Sequence, residues 1–131
     1  MEFPDNLRYT KEHEWVRVDD DGTVLVGITD YAQDQLGDIV YVELPDVDEE
    51  EPVSKDEPLA VVESVKAVSD VYAPVTGTVT EINDELPNSP EVINQDPYGD
   101  GWMVRMKPEN EEELDELLTA EEYEALVNEL S

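Results

Sequence analysis

The sequence predicts a mainly β protein: paired strands packed as a sandwich, with a short helix after Ile28 and a helical segment at the C-terminal end. Three observations predict it. Short runs rich in Val, Ile, Thr and Tyr recur between residues 15 and 106, each broken by Gly, Pro or Asp. Two of them, 59–65 and 67–72, flank Lys66 as strand, tip, strand. After residue 109 the apolar spacing becomes helical.

The elements follow in order. Trp15-Val16-Arg17-Val18 reads as a strand, closed by a turn over 19–22, and residues 23–28 are its hairpin partner. That turn is acidic but fails the EF-hand pattern, because Arg17 and Ile28 occupy the first and last ligand places; calcium is rejected there. Thr29 or Asp30 caps a short helix through Leu36, which Gly37 stops. Residues 38–44 alternate as a strand, with Ile39, Tyr41 and Glu43 on one face and Val40, Val42 and Leu44 on the other. Pro45 ends it. Residues 46–57 read as an acidic connector containing Pro52 and a turn at Lys55-Asp56. The Lys66 hairpin comes next and stops at Ala73-Pro74, where the chain turns into a further strand ending at Ile82. Gly-Thr-Val occurs at 22–24 and again at 77–79, as two similar sheets related by an approximate two-fold would show, though chance explains three residues as well.

Residues 83–100, with Pro87, Pro90 and Pro97, are long for a structureless connection, so a short helix or a functional role is expected. Residues 102–106 make the last strand. In the tail, Leu114, Leu117 and Leu118 form an apolar stripe, and Thr119-Ala120-Glu121-Glu122 has capping-box form. Tyr123, Leu126, Val127 and Leu130 are the buried face of the helix that follows. The expectation is one domain spanning 1–131: a β-sandwich over about 7–107 and a helical tail over about 109–130.

Composition narrows the function. Seven basic residues face 36 acidic ones, for a net charge of −29. Phosphates would be repelled, so nucleic-acid binding is disfavoured. The acids are spread along the whole chain, which suggests a surface adapted to a salt-rich cytosol, that is, a halophilic protein. No stretch is long and apolar enough to span a membrane, and residues 1–5 lack secretory-signal character, so a cytoplasmic location is expected. With no cysteine there is no disulfide or thiolate metal site. With one histidine besides, no nucleophile–base constellation can be assembled, and the chain reads as non-catalytic. His13 reads as an exposed structural residue, with a proton handler as the alternative.

Only four lysines occur: Lys11, Lys55, Lys66 and Lys107. A hairpin tip gives Lys66 a rigid backbone on both sides and an amine in water. The plain alternative is a solvated charge, or an ion pair with Glu63. The surrounding text is specific, however. Glu63-Ser64-Val65-Lys66-Ala67 resembles the lipoylation site of the H protein family of the glycine cleavage system. Glu12-His13-Glu14-Trp15-Val16, Gly27-Ile28-Thr29-Asp30-Tyr31-Ala32-Gln33, Gly37 through Pro45, and Pro97 through Trp102 are similar to that family too. Biotinyl carriers usually flank the lysine with methionines, and 2-oxoacid-complex lipoyl domains place an Asp before it; Val65 and Ala67 match neither.

The resemblance implies a barrel-sandwich hybrid of the lipoyl/biotinyl type, with lipoate attached to Lys66. It implies a monomeric carrier that takes an aminomethyl group from the P protein (glycine decarboxylase) to the T protein (aminomethyltransferase). Electrons would pass to the L protein (dihydrolipoamide dehydrogenase), and a lipoylating enzyme would install the arm. By motif, Glu14 and Asp70 would line the cleft that shelters the loaded arm. A lipoyl-relay H-like protein and a biotinyl or 2-oxoacid-complex carrier remain the alternative readings.

Overall fold

The computed structural model describes residues 1–130, with positions 48 and 49 described by backbone alone. The strands in chain order are β1 (Arg8–Tyr9), β2 (Glu14–Val18), β3 (Val24–Ile28), β4 (Ile39–Glu43), β5 (Asp48–Val53), β6 (Pro58–Ser64), β7 (Val68–Tyr72), β8 (Gly77–Ile82) and β9 (Val104–Pro108). The helices are α1 (Asp30–Leu36), α2 (Val92–Gln95), α3 (Glu112–Asp115) and α4 (Ala120–Leu130). A six-stranded sheet runs β1-β2-β3-β9-β8-β5, and a three-stranded sheet runs β4-β6-β7. The observed fold is mainly β with short helices, as the alternating strands and turns predicted.

The two sheets share one core. Val16, Val26 and Val104 from the larger sheet meet Val42, Val62 and Val71 from the smaller. A second cluster lies where α4 covers β1 and β2, with Tyr123 and Val127 packed on Leu7, Tyr9 and Trp15. Strand β3 is therefore buried along its whole length, because both of its faces are covered. Tyr9 and Tyr123 stack face to face with ring centroids 4.7 Å apart, a contact worth about 0.5–1.5 kcal/mol beyond area burial.

The predicted caps form. Thr29 Oγ1 accepts the Ala32 N–H at 3.1 Å and Gly37 ends α1 with φ 81°. Thr119 and Glu122 exchange side-chain-to-backbone bonds at 3.0 and 3.2 Å, the reciprocal capping box at the start of α4. Four features differ from the sequence reading. Residues 46–57 are not merely a connector, since β5 pairs there with β8 at Asp48↔Val79 and Val53↔Gly77. Asp, Glu and Pro are poor strand formers, but β5 is an edge strand, where the exposed Glu50 and Glu51 are tolerated and Pro52 can leave its outer side unbonded. Strand β4 does not alternate: a register shift between Ile39 and Tyr41 turns both Ile39 and Val42 inward and leaves Val40 and Tyr41 exposed. The repeated Gly-Thr-Val does not mark two similar sheets, because β3 and β8 flank β9 within one sheet. Leu130 is 54% exposed rather than buried, since α4 outruns the surface it packs on. Among the described residues no helix is long and apolar enough to cross a membrane.

Candidate functional site

Strands β6 and β7 pair down to Glu63↔Val68, and the chain reverses through Val65 and Lys66. The Ser64 N–H donates to the Ala67 carbonyl at 2.8 Å, closing the turn. Two-residue hairpin loops usually need positive φ and therefore Gly or Asn. Neither Val65 nor Lys66 has positive φ. The Ser64 hydroxyl supplies the constraint instead, accepting the backbone N–H of Lys66 at 3.2 Å and of Ala67 at 3.0 Å. Ser64 is itself buried at the tip, so its rotamer is held. The Val65 N–H donates to the Asp38 carbonyl at 3.1 Å, which ties the tip to the chain after α1. The Lys66 side chain is exposed, and its Cε lies 3.6 Å from where a Cβ would stand on Gly37. The alternative ion pair with Glu63 does not form. Among the described residues, ion pairs are made by Arg17, Lys55 and Arg105.

Glu14 lies at the other end of this hairpin and is 2% exposed. Its carboxyl takes a hydrogen bond from Thr10 Oγ1 at 2.6 Å and one from the Tyr72 N–H at 3.4 Å. Burial pushes its pKa up to about 7; the two hydrogen bonds oppose that, and the charges of Glu12 and Asp56 add to it. Thr10 and Tyr72 both line a cleft of ≈ 540 Å³ whose walls include Lys11, Lys55, Asp56 and Leu117. Lys55 Nζ meets Glu116 Oε2 across the lining at 3.1 Å. Glu14 thus stands behind the cleft wall, one hydrogen bond from its surface.

Asp70 is exposed on β7 and is not part of that lining. It lies between the two features. Val68, Asp70 and Tyr72 share one face of the strand, since alternate residues point the same way. Lys66 to Tyr72 spans roughly 20 Å at ~3.3 Å per residue. His13 is half-buried rather than exposed, at φ 72°. Its Nδ1 pairs with the Tyr123 hydroxyl at 2.8 Å, which also pairs with Thr29 Oγ1 at 2.8 Å. Burial pulls the imidazole pKa down, with Glu12 opposing. No group of three or more His, Asp or Glu is placed to hold a metal ion among the described residues.

The sequence reading missed the hydrogen-bonding roles of Ser64, Thr10, Tyr72 and Tyr123. A serine two and three residues before the N–H groups it caps is a readable pattern. Thr10, four residues before Glu14, is readable only once the turn at 10–13 is known. Tyr72 and Tyr123 come from distant segments and leave no local signal.

A two-sheet β fold that raises one lysine on a bend, with a cleft at the far end of the same hairpin, is the lipoyl-type barrel-sandwich of the tethered-group carriers. The family model described as Glycine cleavage H-protein matches residues 7–130. A glycine cleavage system H protein from a Psychrobacter species is 62% identical over 122 residues, covering 93% of this chain and 95% of that one. A probable glycine cleavage system H protein from Pyrococcus abyssi is 65% identical over 120 residues, covering 91% and 87%. The crystal structure of a glycine cleavage system H protein from Mycobacterium marinum superposes with a TM-score of 0.85 at 41% identity, covering 95% and 98%. The chain belongs to the glycine cleavage H-protein family, the carrier component of the glycine cleavage system.

Proposed function

We propose that this chain carries lipoate as an amide on Lys66 and shuttles an aminomethyl group between enzymes, catalysing nothing itself. One observation carries the reading: Lys66 stands exposed and without an ion pair on a bend locked by Ser64. The residues fit the group. The amine is open to an acylating enzyme, and amide formation removes a charge that no carboxylate is using. The lipoyl group, when bound, supplies a disulfide that accepts the aminomethyl group on one sulfur and two electrons in all.

The chain's own residues bind and shelter that cargo. An aminomethyl amine is cationic, and a buried carboxylate beside it would form a charge-assisted contact. Glu14 is that partner in this reading, reached through the cleft lined by Thr10 and Tyr72. A carboxyl with a pKa of about 7 is readily ionised by a nearby cation. Asp70 lies on the strand face between tip and cleft and offers a carboxylate along the way.

In this reading the arm is loaded by the P protein (glycine decarboxylase) and unloaded by the T protein (aminomethyltransferase). It is reoxidised by the L protein (dihydrolipoamide dehydrogenase), after a lipoylating enzyme has installed it. The carrier is a monomeric cytoplasmic domain with a surface suited to high salt. Intact-mass measurement of protein purified from its own cells, followed by peptide mapping, tests the assignment. A lipoyl adduct on Lys66, lost in Lys66→Arg, is expected; an unmodified Lys66 would overturn it. Hydrolysis of the loaded arm should speed up in Glu14→Gln, and an unchanged rate would remove Glu14 from the cleft.

A further inference from the structure

We infer that Asn94, far from Lys66 in sequence, is the positioning residue that holds the Lys66 tip in place for acylation. The inference rests on Lys66 being the modified residue. Asn94 follows Ile93, which is fully buried, on the short helix α2. Its side chain makes three of the four hydrogen bonds that an amide can make, all of them to residues between 33 and 39. Oδ1 accepts the Ile39 N–H at 2.9 Å. Nδ2 donates to the Gly37 carbonyl at 2.9 Å and to Gln33 Oε1 at 2.9 Å. The peptide groups on both sides of Asp38 are thereby clamped to one planar amide.

That stretch is the shelf under the tip. The carbonyl of Asp38 itself accepts the Val65 N–H at 3.1 Å. The Lys66 stem passes over Gly37, with Cε 3.6 Å from the missing Cβ position. A register shift also interrupts the β4–β6 ladder between Ile39 and Tyr41, so regular pairing does not by itself fix this corner. The Ser64 hydroxyl shapes the turn from within, as its bonds to Lys66 and Ala67 show. Asn94 does a different job: it sets where the turn sits relative to the barrel. The chain of contacts is Asn94, the Asp38 peptides, Val65, Lys66.

A lysine whose backbone is already in place asks an acylating enzyme to order nothing. When the shelf is loose, that ordering must occur during docking, and the cost falls on binding rather than on the chemical step. The test uses the full chain, purified without its arm, with a lipoate ligase, lipoate and ATP. Asn94→Ala should raise the KM for the carrier about three- to tenfold, the size of an ordering cost for a short segment, with kcat little changed. Asn94→Asp should fare no better, because it keeps the acceptor for Ile39 but turns an acceptor toward the Gly37 and Gln33 oxygens. A residue that merely fills space would tolerate Asp, so wild-type KM in Asn94→Asp would overturn the inference.

Should the variants fold poorly, the wild type still decides. Its Val65 and Lys66 amides should show order parameters of about 0.85, as in rigid backbone; values under about 0.6 would overturn the inference. If the wild type is not acylated on Lys66 at all, the carrier assignment fails instead, and the two failures are told apart.

Discussion

Gly27 lies directly across the β2–β3 ladder from Trp15, and the indole packs over it so closely that a Cβ on Gly27 would stand 2.7 Å from the ring. The ring cannot retreat. Trp15 is fully buried, and its Nε1 donates to the Pro97 carbonyl at 2.8 Å. Gly27→Ala should therefore destabilise the fold by about 1–3 kcal/mol, the usual range for overpacking a filled core. Urea unfolding followed by Trp fluorescence measures it, and a wild-type midpoint would show that the ring has room to move.

Ser64→Ala removes one acceptor shared by two tip N–H groups. Both can turn to water, so the stability loss should be modest, about 1 kcal/mol. The larger effect should be local. Amide exchange at Lys66 and Ala67 should accelerate well beyond that of Val62 in the adjoining strand, and acylation of Lys66 should slow. Exchange at wild-type rates would mean that the ladder alone shapes the bend.

Glu14 gives stability a pH dependence of definite sign. Its folded pKa, about 7, lies above the ordinary carboxyl value of 4.5. Between those values the folded state holds the proton more often than the unfolded state does, so stability is full below the lower value and falls as pH rises through the upper. Glu14→Gln, which keeps a neutral polar group in place, should be more stable than wild type at pH 8 and about equal at pH 4. Paired melts at the two pH values check this; a gap that does not change with pH would contradict the buried carboxyl.

The charge of −29 should make the fold salt-dependent. In dilute buffer the carboxylates repel across the surface, whereas at 1 M salt the screening length is about 3 Å. The melting temperature should climb with KCl from low concentration into the molar range. A melt indifferent to KCl would remove the high-salt reading.

The hairpin around Lys66 was legible from the sequence because its signal is local: two strand-forming runs, a short tip and a proline stop. The cap of α1, narrowed to Thr29 or Asp30, and the Thr119–Glu122 box were legible for the same reason, since a side chain that reaches three residues along leaves its partner in view. Strand β5 was not, because Asp48–Val53 has the composition of a loop and becomes a strand only by pairing with β8. The faces of β4 were misread because one bulge shifts the alternation, and nothing in a run of apolar residues announces a bulge.

The sequence by itself determined the mainly β class, the exposed lysine on its bend, and the family, because periodicity, turn chemistry and motif spacing are properties of neighbouring residues. The tertiary structure alone decided which carboxylate is buried, which residues wall the cleft, and what lies under the tip. Glu14 is held by Tyr72 from 58 positions away, and Asn94 grips Ile39 across 55. Desolvation and long-range hydrogen bonds depend on what folds against a residue, and that is fixed only when the two sheets close on each other.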